Sequence, residues 1–147
     1  MFAFSLEAKI PLLTATRTGF WALDTVISYE KALRLELAKL HLYGQPSSFI
    51  IDIRPSGPQA REVANALRSM VARLGMLRAD YMAVVTASGL AKLQALRVGD
   101  ANAEVFTSMV LARDWVMTKS YPVRPSSDVH NKPRHAEAVS HLLARLT

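Results

Sequence analysis

The run Phe49-Ile50-Ile51-Asp52-Ile53, followed at once by Arg54-Pro55-Ser56-Gly57-Pro58, constrains this chain more than any other stretch. An apolar segment with no polar alternation before Asp52 fits a strand buried on both faces, the kind found at the centre of a parallel sheet. Behind the turn, from about Gly57 to Leu74, Val63, Leu67, Met70 and Leu74 recur at helical spacing, while Arg61 and Arg68 share a solvated face. A buried strand therefore feeds a helix N-terminus, the place in α/β proteins where anions and ligands are held.

The remaining chain is read around that centre. Phe4, Leu6, Ala8 and Ile10 alternate with Ser5, Glu7 and Lys9, and Leu13 and Ala15 alternate with Thr14, Thr16 and Thr18 after Pro11. Two strands with period two, broken by a proline, predict a short antiparallel pair. Val26, Leu33, Leu37 and Leu40 then line one face of a helix from about Ala22 to Tyr43, closed by Gly44, with Trp21 placed to pack it on the sheet. Tyr81 to Val85 reads as another inner strand, and Ser88 as the cap of a third helix carrying Leu90, Leu93 and Val98. A short strand near Val105-Phe106 precedes a fourth helix expected to bury Leu111 and Trp115. The order is β-β-α-β-α-β-α-β-α. It predicts a single α/β domain with a mixed, mostly parallel central sheet, plus a C-terminal amphipathic helix. The expected divisions are a domain over 1–118, a Pro/Ser-rich linker over 119–133, and the amphipathic helix over 134–147, where Ala136, Val139, Leu142, Leu143 and Leu146 form the stripe.

Composition enters mainly by exclusion. The 147 residues are 50% hydrophobic, enough for a core, and hold no cysteine, which rules out disulfides, thiol chemistry and cysteine-based zinc sites. No apolar run reaches the ~18 residues of a membrane span. The opening MFAFSLEAKIP lacks the basic and apolar regions of a signal peptide, so the expectation is a cytoplasmic protein. The charge of +6 is spread over the second helix and the C-terminal segment without aromatic interleaving, so specific nucleic-acid binding is not expected. No phosphate-cradling glycine run is present, and His130, His135 and His141 are not spaced as metal ligands on one helix face. Asp52 has no visible partner for general-base work, so a hydrogen bond into the following turn is expected of it instead. The chain is read as no enzyme, with no cofactor and no metal.

Four features resemble one known family. They are Gly19-Phe20-Trp21 before the first helix, the strand FIIDIR, the segment VVTASGLAKLQALR, and the ending VFTSMVLARDWV. Together, in this order, they resemble the STAS and SpoIIAA-like domains, the bacterial anti-sigma-factor antagonists and their relatives, over roughly residues 4 to 117. The resemblance implies a regulatory module in which a serine at the start of the helix after the central strand is phosphorylated by a partner kinase. The matching residue here is Ser56, with Pro55 where the family carries an acidic residue. Ser56 and Gln59 also fit a capping box, so Ser56 stands as candidate phosphosite or helix cap.

Two functions follow from this reading. The first is a non-catalytic, regulatory protein-interaction module that uses Asp52, Arg54, Ser56, Gly57, Arg61 and Ser88 as its surface. The alternative is a small apolar-ligand or lipid-binding domain of Sec14-like layout, with Trp21, Met70, Met82 and Trp115 lining its pocket. Homodimerisation through the edge strand Phe4–Ile10 or through the C-terminal helix is a further expectation.

Overall fold

A computed structural model describes residues 1–87 and 103–120. Its strands are β1 (Phe2–Glu7), β2 (Leu12–Arg17), β3 (Ser48–Asp52), β4 (Tyr81–Val85) and β5 (Ala103–Phe106). Its helices are α1 (Leu23–Tyr43), α2 (Arg61–Arg73) and α3 (Met109–Ser120), with a 3-10 turn at Gly75–Leu77. The expected third helix with Ser88, most of the 119–133 linker and the 134–147 helix lie outside the described residues. Lys119 and Ser120 close α3, so the helix runs past the boundary expected at 118.

The five strands lie in the order β1-β2-β3-β4-β5. β1 pairs antiparallel with β2, Phe4 opposite Ala15, and every other pair is parallel, Ile51 standing between Ala15 and Val84. The α/β domain with a mixed, mostly parallel sheet is thus the architecture formed. β3 is buried at all five positions, as its unbroken apolar run requires of the central strand.

Alternation along the strands sends side chains to two cores. On one face Leu13, Ala15, Phe49, Ile51 and Val84 meet Val26, Tyr29, Leu33, Leu37 and Leu40 of α1 and Val63, Leu67 and Met70 of α2. On the other face Leu12, Ile50, Ala83 and Val85 meet Ala112 and Val116 of α3. The buried face of α3 is therefore rotated by one residue from the expected Leu111 and Trp115. Leu111 is exposed, and Trp115 is half-buried, packing its ring against Tyr81 and Phe106. Ala112 and Ala83 explain the rotation, since small side chains let the helix backbone approach the sheet. β1 also begins two residues earlier than its alternation suggested, and Ala8–Pro11 forms the turn.

Tyr29 is the hub of an aromatic cluster on the α1 side. Its ring lies 5.1 Å from Trp21, 5.3 Å from Phe2 and 5.8 Å from Phe4, centroid to centroid. Edge-on and stacked contacts at these separations add to area burial. They fasten the edge strand β1 to the start of α1.

Candidate functional site at the C-terminal edge of the sheet

Because β2 and β3 run parallel, the loops that leave them emerge at the same edge, each leading to a helix N-terminus. The β2–α1 loop spans residues 18–22 and the β3–α2 loop spans 53–60. Their local chemistry explains how they fold against each other.

Asp52 ends β3, in register with Thr16 and Val85, and is buried. A bare carboxylate there would be costly. Arg54 supplies the compensation: its Nε donates to Oδ1 at 2.9 Å, its Nη2 to Oδ2 at 2.8 Å, and its backbone N–H to Oδ1 at 3.1 Å. Those hydrogen bonds hold the Asp52 carboxyl below the usual carboxylate range, outweighing the opposing effect of burial. With both oxygens engaged by one guanidinium fork, Asp52 is a structural anion and a poor proton acceptor. The hydrogen bond expected from Asp52 into its own turn is present, and its principal partner is the Arg54 side chain.

Ser56 does not cap α2. The turn closes with the Ser56 N–H and hydroxyl both donating to the Ile53 carbonyl, at 3.0 and 3.1 Å. Gly57 follows at φ 61°, in the left-handed region that favours glycine, and Ala60 is extended. The helix therefore starts at Arg61 rather than near Gly57, with Ala60 at its N-cap and no side-chain cap hydrogen bond. Its first N–H groups are left without a side-chain acceptor from that cap.

Gln59, expected to complete the capping box, reaches across to the other loop instead. Its Oε1 accepts the Trp21 N–H at 2.7 Å, and its Nε2 donates to the Gly19 carbonyl at 2.9 Å. The same Nε2 donates more weakly to the carbonyls of Ser56 and Gly57. The Gly19 N–H meets the Pro55 carbonyl at 3.4 Å, and the Trp21 indole N–H donates to the Thr18 carbonyl at 2.9 Å. One glutamine thus clasps two loops that are 38 to 40 residues apart in sequence.

Around this clasp the rim is both basic and apolar. Arg61 is exposed at the start of α2, and the Arg54 side chain is 43% exposed despite its ion pair. Phe20 is 73% and Ile27 63% exposed, with Leu23 between them in sequence. Arg17, the last residue of β2, lays its guanidinium 5.7 Å from the Trp21 ring centroid and 5.6 Å from that of Tyr29. Burial pulls the Arg17 pKa down and pushes that of Tyr29 up.

Of the residues read from the sequence, Asp52, Arg54, Ser56 and Gly57 share one loop, and Arg61 stands at the helix start that follows it. Ser88 lies outside the described residues. Trp21, Met70, Met82 and Trp115 do not converge on a pocket. Trp21, Met70 and Met82 belong to the α1–α2 side of the sheet, and Trp115 packs on the opposite face. A hollow beside Met82, lined by Leu37, Phe49, Val71 and Leu74, has a volume of about 10 Å³. That is room for roughly one water, far from the ~300 Å³ or more of a ligand site. Sequence reasoning missed Gln59 as a clasp, and it missed the exposed Phe20, Leu23 and Ile27. A polar residue between Pro58 and a helix was the only signal for the first, and an apolar stretch that breaks helical periodicity the only signal for the second. Among the described residues, no group of three or more His, Cys, Asp or Glu side chains is placed to hold a metal ion. No helix among them is long and apolar enough to cross a membrane.

This arrangement, five mixed strands with helix N-termini clasped at one edge, is a SpoIIAA-like fold. Two solved structures carry that statement. An anti-sigma factor antagonist from Mycobacterium paratuberculosis superposes with a TM-score of 0.56 at 14% identity, covering 79% of this chain and 94% of that one. An uncharacterized protein with a SpoIIAA-like fold from Shewanella loihica gives a TM-score of 0.56 at 16% identity, covering 78% of this chain and 92% of that one. The resemblance to STAS and SpoIIAA-like domains read from the sequence is thus supported at the level of the fold. No protein-family model matches the chain, and no curated protein matches it.

Proposed function

We propose that this chain is a regulatory module that works without catalysis, by docking a protein partner on the rim at the C-terminal edge of its sheet. The observation that carries this reading is the Gln59 clasp. It fixes two loops as one platform, with exposed Phe20 on one loop, exposed Leu23 and Ile27 on the helix that follows it, and exposed Arg61 at the start of the helix that follows the other. Exposed aromatic and aliphatic side chains next to arginine are the composition of an interaction surface. The fold shared with an anti-sigma factor antagonist supports the same reading. Arg54, Asp52 and Gly57 act in it by shaping the loop, and Ser88 is proposed for the same surface.

Ser56 is the proposed point of control. Its hydroxyl donates to the Ile53 carbonyl, so phosphorylation removes a donor that closes the turn and adds negative charge. The new charge would stand in the loop that leads to α2, with Arg54 and Arg61 close to it in sequence. Mass spectrometry of protein isolated from its native cell tests this. A phosphate on Ser56 under some growth condition is expected, and an unmodified Ser56 under all of them removes the switch. Docking is tested by quantitative affinity capture from the same cells with the unaltered chain and with Phe20→Ser and Arg61→Glu. A partner retained equally by all three is incompatible with the rim as its site.

The four residues named for the apolar-ligand alternative fall, among the described residues, on both faces of the sheet, which favours the docking reading.

A further inference from the structure

A second apolar surface lies at the other end of the molecule, away from the rim. Leu35 and Leu42 stand one heptad apart on the outward side of α1 with exposed Ala38 between them, and they are 67% and 87% exposed. His41 Nε2 lies 2.9 Å from the Leu77 carbonyl, which brings the turn carrying Met76, 88% exposed, against the last turn of the helix. α1 consequently carries, besides the inner face packed on the sheet, exposed apolar side chains on its outer side among charged ones. Of the charges beside the patch, Glu36 and Lys39 pair with each other at 3.2 Å, and Lys31, one turn before Leu35, is exposed.

The chain itself supplies a fitting occupant. α3 ends at Ser120, whose hydroxyl lies 2.7 Å from that of Ser48 at the start of β3. α1 ends at Tyr43, five residues before the same strand begins, so both helices finish at one edge of the sheet. Residues 121–133 hold three prolines, and at ~3.1 Å per residue in an extended conformation they reach about 40 Å, more than three helix diameters. Beyond them, Val139, Leu142, Leu143 and Leu146 recur at i, i+3, i+4 and i+7, an apolar stripe of the same character as the one on α1.

We propose that residues 134–147 pack as a helix, within the same chain, on the outward face of α1 at Leu35, Ala38, Leu42 and Met76. This docking is independent of the rim and of the partner proposed for it, and its test needs neither.

The full chain has no cysteine, so Ala144→Cys takes a single nitroxide. Methyl NMR is recorded on chains carrying both the tag and labelled Leu and Met, and on a mixture of tagged unlabelled chains with labelled untagged ones. The methyl signals of Leu35, Leu42 and Met76 are expected to broaden strongly in the first sample and not in the mixture. Adding Leu42→Lys and Met76→Lys, both at exposed sites, is expected to abolish the broadening of the remaining Leu35 methyl signals and leave the core methyls of Leu33 and Leu37 at their original shifts. Absence of broadening in the first sample overturns the proposal. Broadening in the mixture as well as in the first sample overturns it too, in favour of a second copy as the occupant.

Discussion

Replacing Gln59 by Ala opens the clasp without touching either core. The side chain makes two short hydrogen bonds across the loops, to the Trp21 N–H at 2.7 Å and to the Gly19 carbonyl at 2.9 Å. Its contacts to Ser56 and Gly57, at 3.3 and 3.4 Å, are weaker. At roughly 1 kcal/mol net for each short bond, the loss is about 2 kcal/mol. For a domain of this size that corresponds to a fall in Tm of roughly 4–8 °C by calorimetry. The effect should also be local. If the loops open by the same free energy, amide exchange at Trp21 accelerates by about 30-fold while exchange in β3 follows only the global change. Gln59→Glu separates the two halves of the clasp, because a carboxylate still accepts from Trp21 N–H but cannot donate to Gly19. Trp21 protection should survive in that variant while Tm still falls. A Gln59→Ala protein with unchanged Tm and unchanged Trp21 exchange would refute the clasp.

Three further outcomes follow from the same structure. The Asp52 carboxyl is held below its unfolded value by hydrogen bonds from Arg54, and that of Glu7 by hydrogen bonds from Arg113. Both contributions are complete above the unfolded carboxylate values of about 4 and are lost as pH falls through the lower folded ones, so the urea midpoint should decline between about pH 5 and pH 2. Arg54→Gln should flatten that slope. Tyr29→Phe keeps the aromatic hub and removes a buried hydroxyl that has no hydrogen-bond partner among the described residues, so stability should be unchanged or rise by up to about 1 kcal/mol in denaturant titration. A double-mutant cycle on Glu7 and Arg113, whose fork-shaped contacts of 2.8 and 2.9 Å join two partly exposed side chains, should give only about 0.2–1 kcal/mol of coupling.

The sheet was legible in the sequence because its signals are local. The unbroken FIID run marked the central strand, and Leu13 and Ala15 alternating with threonines marked the inward face of β2. Val26, Leu33, Leu37 and Leu40 disclosed the buried face of α1, and Tyr29 fits the same spacing with a more polar side chain that hid its role. The site was less legible because its determining contacts are distant in sequence. Ser56 through Gln59 satisfy the capping-box pattern, yet Ser56 is taken by Ile53 and Gln59 by residues near 20, and nothing local decides between those partners. The face of α3 was misread for another reason. Hydropathy favours Leu111 and Trp115, whereas close approach to Ala83 favours the small Ala112.

The central claim is that the clasped rim binds a protein partner, and comparative affinity capture across the surface tests it most directly. Bait chains carrying Phe20→Ser, Arg61→Glu or Gln59→Ala are compared with the unaltered chain and with Val110→Ser, an exposed position on α3. One partner is expected to be enriched by the unaltered chain and by Val110→Ser and lost with each rim variant. A partner held equally by the rim variants, or lost only with Val110→Ser, would contradict the claim.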